Sequence, residues 1–352
     1  MVVRVYLKQA WNLMKQNPLF STLYIVGTGI SIVMTMVIAI VYYVRLAPVY
    51  PETNRMRTLV VKSAKMTNDE STHSANISYA MLKDWFYSLE SAEVSTGVSG
   101  TSYARVTNDK EEIPTYARYT DENFFRVFPL VFLEGKPFTE ADRRSGIHNV
   151  VLTDSYAQQL FGTTKGVVGK NFLMDYTNVK VVGVVKSGSF LTPDSYAQVY
   201  LPYSCRDGYD DEGSHWALGG YRVYILMKES KSVTDVQDEV LELIRKFNVS
   251  DMGDGWKLDL VGQPELYWHS TFRLWSNVAV DWGRVIWMFV GIFMVLLFVP
   301  AFNLSGMISA RMERQLPDLG IRKAFGASRR RLLVQIIWEN LLLTGLGTLL
   351  GI

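Results

Sequence analysis

The basic residues near the end of the chain are the ones whose types and spacing indicate a binding chemistry. Within residues 304–331, apolar Leu319, Ile321 and Phe325 stand among many positive charges. Because a solvated linker has no reason to expose apolar side chains, we expect a short amphipathic helix that presses against another surface. The basic residues are Arg311, Arg314, Arg322, Lys323, Arg329, Arg330 and Arg331, against two acidic residues, Glu313 and Asp318.

Residues that could perform catalysis or hold a metal ion lack the required spacing. The closest match to a phosphate-binding loop, residues 165–171, lacks the first glycine at the right spacing and the final Ser or Thr. The four histidines form no close ligand pair, and the single cysteine, Cys205, excludes an intrachain disulfide. No G-x-S-x-G motif is present. The sequence therefore predicts no catalytic residue, no metal site and no cofactor bound by this chain.

Three apolar runs flank the segments that carry these residues. Residues 19–44 contain no charge and would form a helix about 39 Å long, more than the roughly 30 Å of a bilayer core. A cleavable signal has a shorter apolar core, so we predict a retained membrane helix at 19–45. The later runs predict a second membrane helix at 284–306 and an incomplete third at 332–352, inside which the chain stops.

Charge predicts the orientation of these helices. Residues 1–20 carry three basic residues and no acid, and the segment 307–331 is strongly basic. Both should therefore be cytoplasmic, with residues 1–18 as an amphipathic helix or as the frayed start of the first span. Residues 46–283 carry 24 basic and 31 acidic residues, a net charge of −7. This acidic domain should lie outside, and its charge argues against nucleic-acid binding.

The external domain has the pattern of an α+β fold. Strand and helix signals recur at both of its edges, and Ser232 with Asp235 forms a capping box before a helix at 233–247. These signals predict a split ferredoxin-like module, 46–112 and 215–283. Between its halves, residues 113–214 are rich in β-branched runs and turn glycines, which predicts an inserted β-rich subdomain.

A family resemblance rests on the basic segment and on the domain. Arg314, the run from Asp318 to Ala324 and the pair Gly326-Ala327 resemble the coupling segment of FtsX-like, MacB-type ABC-transporter permeases, roughly R-x-x-E-x-G-I-R-K-A-x-G-A. The phrases FFRVFPLVFLEGKPFTEAD, VVLTDSYAQQLFG, GVVGKNF and VVGVVKSGSF resemble the periplasmic core domain of the same family. The resemblance covers nearly the whole chain.

The resemblance implies a multi-pass permease of the inner membrane that couples ATP hydrolysis by a separate ABC ATPase to movement of its periplasmic domain, for efflux or release of a client. It implies a paired permease or homodimer, contact with membrane lipid, a periplasmic adaptor and outer-membrane channel as further partners, and a fourth span that this chain lacks. ATP would be bound by the partner. The implied ATPase-coupling residues are Asp318, Leu319, Gly320, Ile321, Arg322, Lys323, Ala324, Phe325 and Gly326.

The role of Glu339 and the class of the protein each allow an alternative. Glu339 lies about 12 Å into the third apolar run, where an acid is costly unless it is paired. It fits a partner in helix packing or coupling, or a side chain that reaches back to Arg330 or Arg331. A sensory membrane protein with an external ligand-binding domain is the alternative function, although it leaves the third run unexplained.

Overall fold

The computed structural model describes residues 11, 15, 18–99, 102–108, 111–210, 216–250, 255–296, 298, 320–321, 324, 333–334, 337–338, 341 and 344–349. It divides into two compact units, Val44–Asp281 and a second one made of Met1–Tyr43 with Trp282–Ile352.

Helices and strands are labelled in chain order. The helices are α1 Pro18–Leu46, α2 Tyr79–Asp84, α3 Phe124–Val127, α4 Glu140–Arg144, α5 Asp154–Phe161, α6 Val233–Val249 and α7 Trp282–Leu296. Short 3-10 helices lie at Phe86–Ser88, Tyr203–Cys205 and His269–Phe272. The strands are β1 Thr58–Val61, β2 Ala64–Thr67, β3 Thr72–Ile77, β4 Ala92–Ser99, β5 Ser102–Asn108, β6 Glu111–Thr120, β7 Phe132–Gly135, β8 Asn149–Thr153, β9 Asn171–Met174, β10 Thr177–Val185, β11 Val199–Pro202, β12 Leu218–Gly219, β13 Tyr221–Met227, β14 Lys257–Asp259 and β15 Glu265–Leu266.

The apolar helix α1 matches the predicted first span. Two of its hydroxyl groups, those of Ser31 and Thr35, are satisfied within the helix, since they donate to the carbonyl oxygens of Gly27 and Ser31 at 2.9 and 2.8 Å. Among the described residues, Ser21–Leu46 is the one helix long and apolar enough to cross a bilayer. The helix α7 is apolar but shorter. The rest of the predicted second span, most of the third and most of residues 1–18 lie outside the described residues.

One lobe of the Val44–Asp281 unit, the first lobe, is built on an eight-stranded sheet. At its centre β13 pairs antiparallel with both β1 and β4, and β1 pairs antiparallel with β15. The β2–β3 hairpin followed by helix α2 connects β1 to β4 in the chain. Helix α6 lies between β13 and β15. This is the strand order of a βαββαβ module whose second and third strands are separated by an insertion, as the sequence predicts.

Alternation along the central strands divides the buried side chains between two cores. Successive side chains on a strand point to opposite faces. Leu59 and Val61 of β1 pack with α2 and α6, whereas Val60 packs with aromatic residues of the inserted segment, Phe124 and Phe128 among them. Both faces of the first sheet are therefore covered, one by helices and the other by the insertion.

The insertion forms the second lobe, a seven-stranded mixed sheet in the order β7-β10-β8-β11-β6-β5-β9. Its strands run from Ser102 to Pro202, whereas the predicted limits were 113–214. The difference arises because β5 forms a hairpin with β6, paired from Ser102 with Ala117 to Asn108 with Glu111. Residues 93–106 favour a strand throughout, so the sequence does not show that the chain passes from the first sheet to the second after Ser99.

Candidate functional site: the lobe junction and the basic segment

The predicted ATPase-coupling residues are described only in part. Gly320, Ile321 and Ala324 are helical and exposed, and Ile321 keeps 57% of its surface accessible. The coupling role of these residues stays a prediction. The remaining predicted coupling residues lie outside the described part of the chain: Asp318, Leu319, Arg322, Lys323, Phe325 and Gly326. Glu339, the acidic residue of the third apolar run, also lies outside it.

A close contact joins α1 to the last apolar run within their own unit. Gly347 is buried, and a Cβ atom added to it would lie 2.8 Å from the Cβ of Thr28 and 3.1 Å from the carbonyl oxygen of Ile25. A Cβ at Gly345 would meet nothing within 4 Å. Small residues let apolar helices approach closely, so Gly347 marks the packed face.

A buried ion pair lies where the chain leaves α1 and enters the external domain. Glu52 and Arg55 form a salt bridge, and their side chains are 0% and 3% exposed. Arg55 also donates to the carbonyl oxygen of Val44, in the last turn of α1, at 2.8 Å. Since the last carbonyls of a helix lack partners within it, Arg55 binds the end of α1 to the start of the domain.

Glu52 also receives hydrogen bonds from both lobes. The hydroxyl of Ser195, on the loop between β10 and β11, donates to Glu52 Oε1 at 2.7 Å. The hydroxyl of Tyr267, which follows β15, donates to the same atom at 2.9 Å. A single buried carboxylate therefore contacts the segment after α1, the first lobe and the second lobe.

Asp194 forms a second charged bridge between the lobes. Its carboxylate lies 2.9 Å from Nζ of Lys62, which follows β1, and 3.2 Å from a guanidinium nitrogen of Arg222 on β13. Burial alone would raise the pKa of Asp194, but the charges of Lys62 and Arg222 outweigh it and hold the pKa well below its ordinary value. Asp194 is therefore ionised in the folded protein at neutral pH.

The loop that carries Asp194 is held by an arginine of the second lobe. Arg118 on β6 is 2% exposed and donates to the carbonyl oxygens of Pro193 and Tyr196, at 2.6 and 3.0 Å. The hydroxyl of Tyr200 donates to the carbonyl oxygen of Ser195 at 2.9 Å. These bonds fix the position of Asp194 relative to the second sheet.

A third junction lies at Asp121, directly after β6. Its carboxylate accepts hydrogen bonds from the hydroxyl of Thr96 and the amide of Gly97 on β4, at 2.6 and 2.8 Å, and from the hydroxyl of Tyr87 at 2.5 Å. The side chain of Asp121 is fully buried, and this burial raises the pKa of its carboxyl group to about 6. The residue joins the end of a second-lobe strand to the first-lobe sheet.

Sequence reasoning did not find these junction residues. Glu52 and Arg55 stand close to the predicted span, but nothing in their spacing connects them with Ser195 or Asp194 more than 130 positions later. Such pairings depend on the tertiary fold. In the described part of the chain no group of three or more His, Cys, Asp or Glu side chains could hold a metal ion.

Together these features define a class: a chain that combines an apolar helix of membrane-spanning length with a two-lobed α+β domain. Residues 20–243 match the family model of the MacB-like periplasmic core domain. Residues 277–352 match the family model of the FtsX-like permease C-terminal region. The chain belongs to the family of permeases with a MacB-like periplasmic core domain.

Relatives with curated names agree with this membership. The chain is 24% identical to the macrolide export ATP-binding/permease protein MacB of Bdellovibrio bacteriovorus, over 62% of this chain and 32% of that protein. It is 22% identical to MacB of Escherichia coli strain K12, over 70% and 36%, and 22% identical to the uncharacterized ABC transporter permease YvrN of Bacillus subtilis, over 66% and 54%. The chain thus spans about a third of the length of the MacB proteins that it matches.

Among solved structures, the periplasmic region of MacB from Actinobacillus actinomycetemcomitans aligns with a TM-score of 0.40 and 16% identity, covering 56% of this chain and 88% of that one. The extracellular domain of the ABC-type transporter YknZ aligns with a TM-score of 0.39 and 16% identity, covering 56% and 100%.

Proposed function

We propose that this chain is the permease subunit of an ABC transporter that works by transmitting movement across the membrane. A separate ATPase binds and hydrolyses ATP, and the chain carries the resulting motion to its external domain. The domain then promotes efflux or release of a client from the inner membrane or the periplasm. The two family matches, which together reach from residue 20 to residue 352, support this assignment.

The observation that carries the mechanical part is the junction at Glu52 and Arg55. A segment that is fixed by buried bonds can transmit a displacement, whereas a flexible linker would absorb it. Here Arg55 holds the last turn of α1, and Glu52 binds Arg55 together with one hydroxyl from each lobe. Buried charged hydrogen bonds resist rearrangement because every partner that is lost leaves a desolvated charge.

The ATPase end of the mechanism rests on residues 318–326. Ile321 is helical and its side chain is exposed, as expected of a docking residue before its partner binds. Leu319, Ile321 and Phe325 would fill a groove on the ATPase, while Arg322 and Lys323 would meet acidic side chains or lipid phosphates at its rim. A small apolar cluster of this kind often dominates the affinity of an interface.

The remaining partners follow from the same proposal. The apolar helices act as a multi-pass inner-membrane anchor and pair with a second permease, identical or homologous. A periplasmic adaptor and an outer-membrane channel are further candidate partners in a transport system of this kind.

Purification of the full chain from its native membranes tests the proposal. An ABC ATPase should co-purify in a stoichiometric amount, and its ATP hydrolysis rate should change when the permease is removed. Recovery of the chain without any ATPase, from membranes in which both proteins are present, would contradict the proposal.

A further inference from the structure

A cleft of about 410 Å³ opens beside the lobe junction, and its lining is strongly basic. Lys62 and Arg222 line it from the first lobe, and Asp194 from the second. Arg55 and Arg45 complete the charged lining at the end of α1. All of these residues belong to the Val44–Asp281 unit.

The positive charges of the cleft exceed its negative charges. Among the residues that the structure describes, four basic side chains line it, and Asp194 is the one lining carboxylate. Glu52, which pairs with Arg55, offsets one more positive charge. Lys62 and Arg222 share the single carboxylate of Asp194, which leaves their combined charge half neutralised.

All three lining arginines have unused hydrogen-bonding capacity, and the buried Nε of Arg222 has no hydrogen-bond partner among the described residues. Arg45 is exposed, and no carboxylate among the described residues lies within ion-pair distance of it. Arg55 is 3% exposed, and its buried Nε has no hydrogen-bond partner among the described residues. Buried donors without an acceptor are rare in native proteins, which suggests that an acceptor is supplied from outside the chain.

We propose that this cleft binds a phosphate-class anion, with the phosphate of a membrane lipid headgroup as its source. Arginine guanidinium groups suit phosphate oxygens because their planar donors can make paired, charge-assisted hydrogen bonds. The inference concerns the external domain alone and does not depend on the ATPase-coupling role.

The position of the cleft in the chain favours a lipid over a free anion. Arg45 lies in the last turn of α1, directly after the uncharged run that spans the bilayer core, so its side chain stands at headgroup level. Exposed apolar residues adjoin the lining residues in sequence: Phe190 precedes Leu191, and Leu274 and Trp275 follow Thr271. Aromatic residues of this kind are enriched at the membrane interface.

Calorimetric titration of the full chain in phosphatidylcholine nanodiscs tests the proposal with three probes: dihexanoyl phosphatidylglycerol, inorganic phosphate and dihexanoyl phosphatidylcholine. We expect saturable binding of the first that weakens as salt is raised. Arg45→Gln should weaken it about tenfold or more, because a hydrogen bond between charged groups contributes more than one between neutral groups. Arg105→Gln, which removes an exposed arginine of the second lobe, should leave it unchanged.

Arg222→Gln serves as a second variant, and thermal unfolding of each variant identifies any loss of folding. Binding of the anionic lipid alone assigns the site to lipid, and equal binding of inorganic phosphate assigns it to a free anion. The proposal is overturned if neither anion binds, if the zwitterionic lipid binds equally well, or if folded Arg45→Gln and Arg222→Gln proteins bind like the wild type.

Discussion

The carboxylate of Asp194 lies 2.9 Å from the Nζ atom of Lys62, although the two residues belong to different lobes of the external domain. Lys62 follows the central strand β1, and Asp194 lies on the loop that enters β11. The pair therefore joins the ferredoxin-like sheet to the inserted sheet at a buried position. With Glu52 and Arg55 it forms a charged junction next to the end of α1.

Asp194→Asn should destabilise the protein at neutral pH and reduce its sensitivity to acid. The pKa of Asp194 is lower in the folded protein than the value of about 3.9 in an unfolded chain. The contribution of Asp194 to the free energy of unfolding is thus fully present above the pKa of the unfolded chain, and it is lost as the pH falls below that pKa toward the lower pKa of the folded protein. We expect a loss of about 3–5 kcal/mol at pH 7, as is typical when one partner of a buried ion pair is removed.

Urea unfolding of wild type and Asp194→Asn between pH 7 and pH 3 measures this effect. The difference between them should shrink as the pH falls. Asp121 has a raised pKa of about 6, so its contribution to the free energy of unfolding grows as the pH falls through that value. This contribution is the same in both proteins and cancels in their difference. A difference that is constant with pH would show that the charge of Asp194 does not stabilise the junction.

Glu52→Gln should lower stability far more than a matched change at an exposed ion pair. The substitution leaves Arg55 buried without its counter-charge, which costs about 3–5 kcal/mol. Glu93 pairs with Arg57 but is 43% exposed, so Glu93→Gln should cost less than about 1 kcal/mol. Thermal unfolding of the full chain in detergent compares the two, and equal midpoints would contradict the buried-junction account.

The sequence predicted the elements better than the contacts between them. The helix at 233–249 begins at its predicted capping box, with the Ser232 amide donating to Asp235 at 2.6 Å and the Asp235 amide donating to Ser232 Oγ at 3.3 Å. Strand β13, Tyr221–Met227, lies in a run of aromatic and β-branched residues that favours a strand. Both signals are local, since caps and alternating side chains depend on neighbouring residues.

Long-range features were beyond such reasoning. The passage of the chain from the first sheet to the second after Ser99 depends on which strands pair, and the strand propensity of residues 93–106 is the same for either sheet. Similarly, Asp194 follows a proline in a turn, a context typical of a solvated acid, and only the fold brings it against Lys62. The basic segment was the clearest motif in the sequence, and its role stays a prediction.

Gly347→Leu should disrupt packing between α1 and the last apolar run, whereas Gly345→Leu should be tolerated. A side chain at Gly347 collides with Thr28, while the space at Gly345 is open. Overpacking of this kind typically costs about 1–3 kcal/mol. Thermal aggregation of the two variants in detergent measures the effect, and equal midpoints would show that the glycine contact does not support the fold.

Cysteine labelling tests the topology. In intact cells, Asn108→Cys, at the end of β5, should react with a membrane-impermeant maleimide, whereas Ile321→Cys should react only after lysis. The native Cys205 gives little background, because burial raises the pKa of its thiol to about 12 and keeps it protonated. Labelling of Ile321→Cys from outside would place the basic segment on the wrong side for an ATPase.

Co-purification tests whether the basic segment couples this chain to an ATPase. The tagged full chain carrying Ile321→Ser with Phe325→Ser is compared with the wild type and with Val131→Ser plus Leu133→Ser, which changes two exposed apolar residues of the external domain. Quantitative mass spectrometry then gives the ratio of ABC ATPase to permease at equal membrane levels. We predict that the ratio falls at least tenfold in the first variant, because each lost anchor contributes more than about 1 kcal/mol, and stays unchanged in the second. A first variant that inserts normally and retains the ATPase at the wild-type ratio would contradict the account.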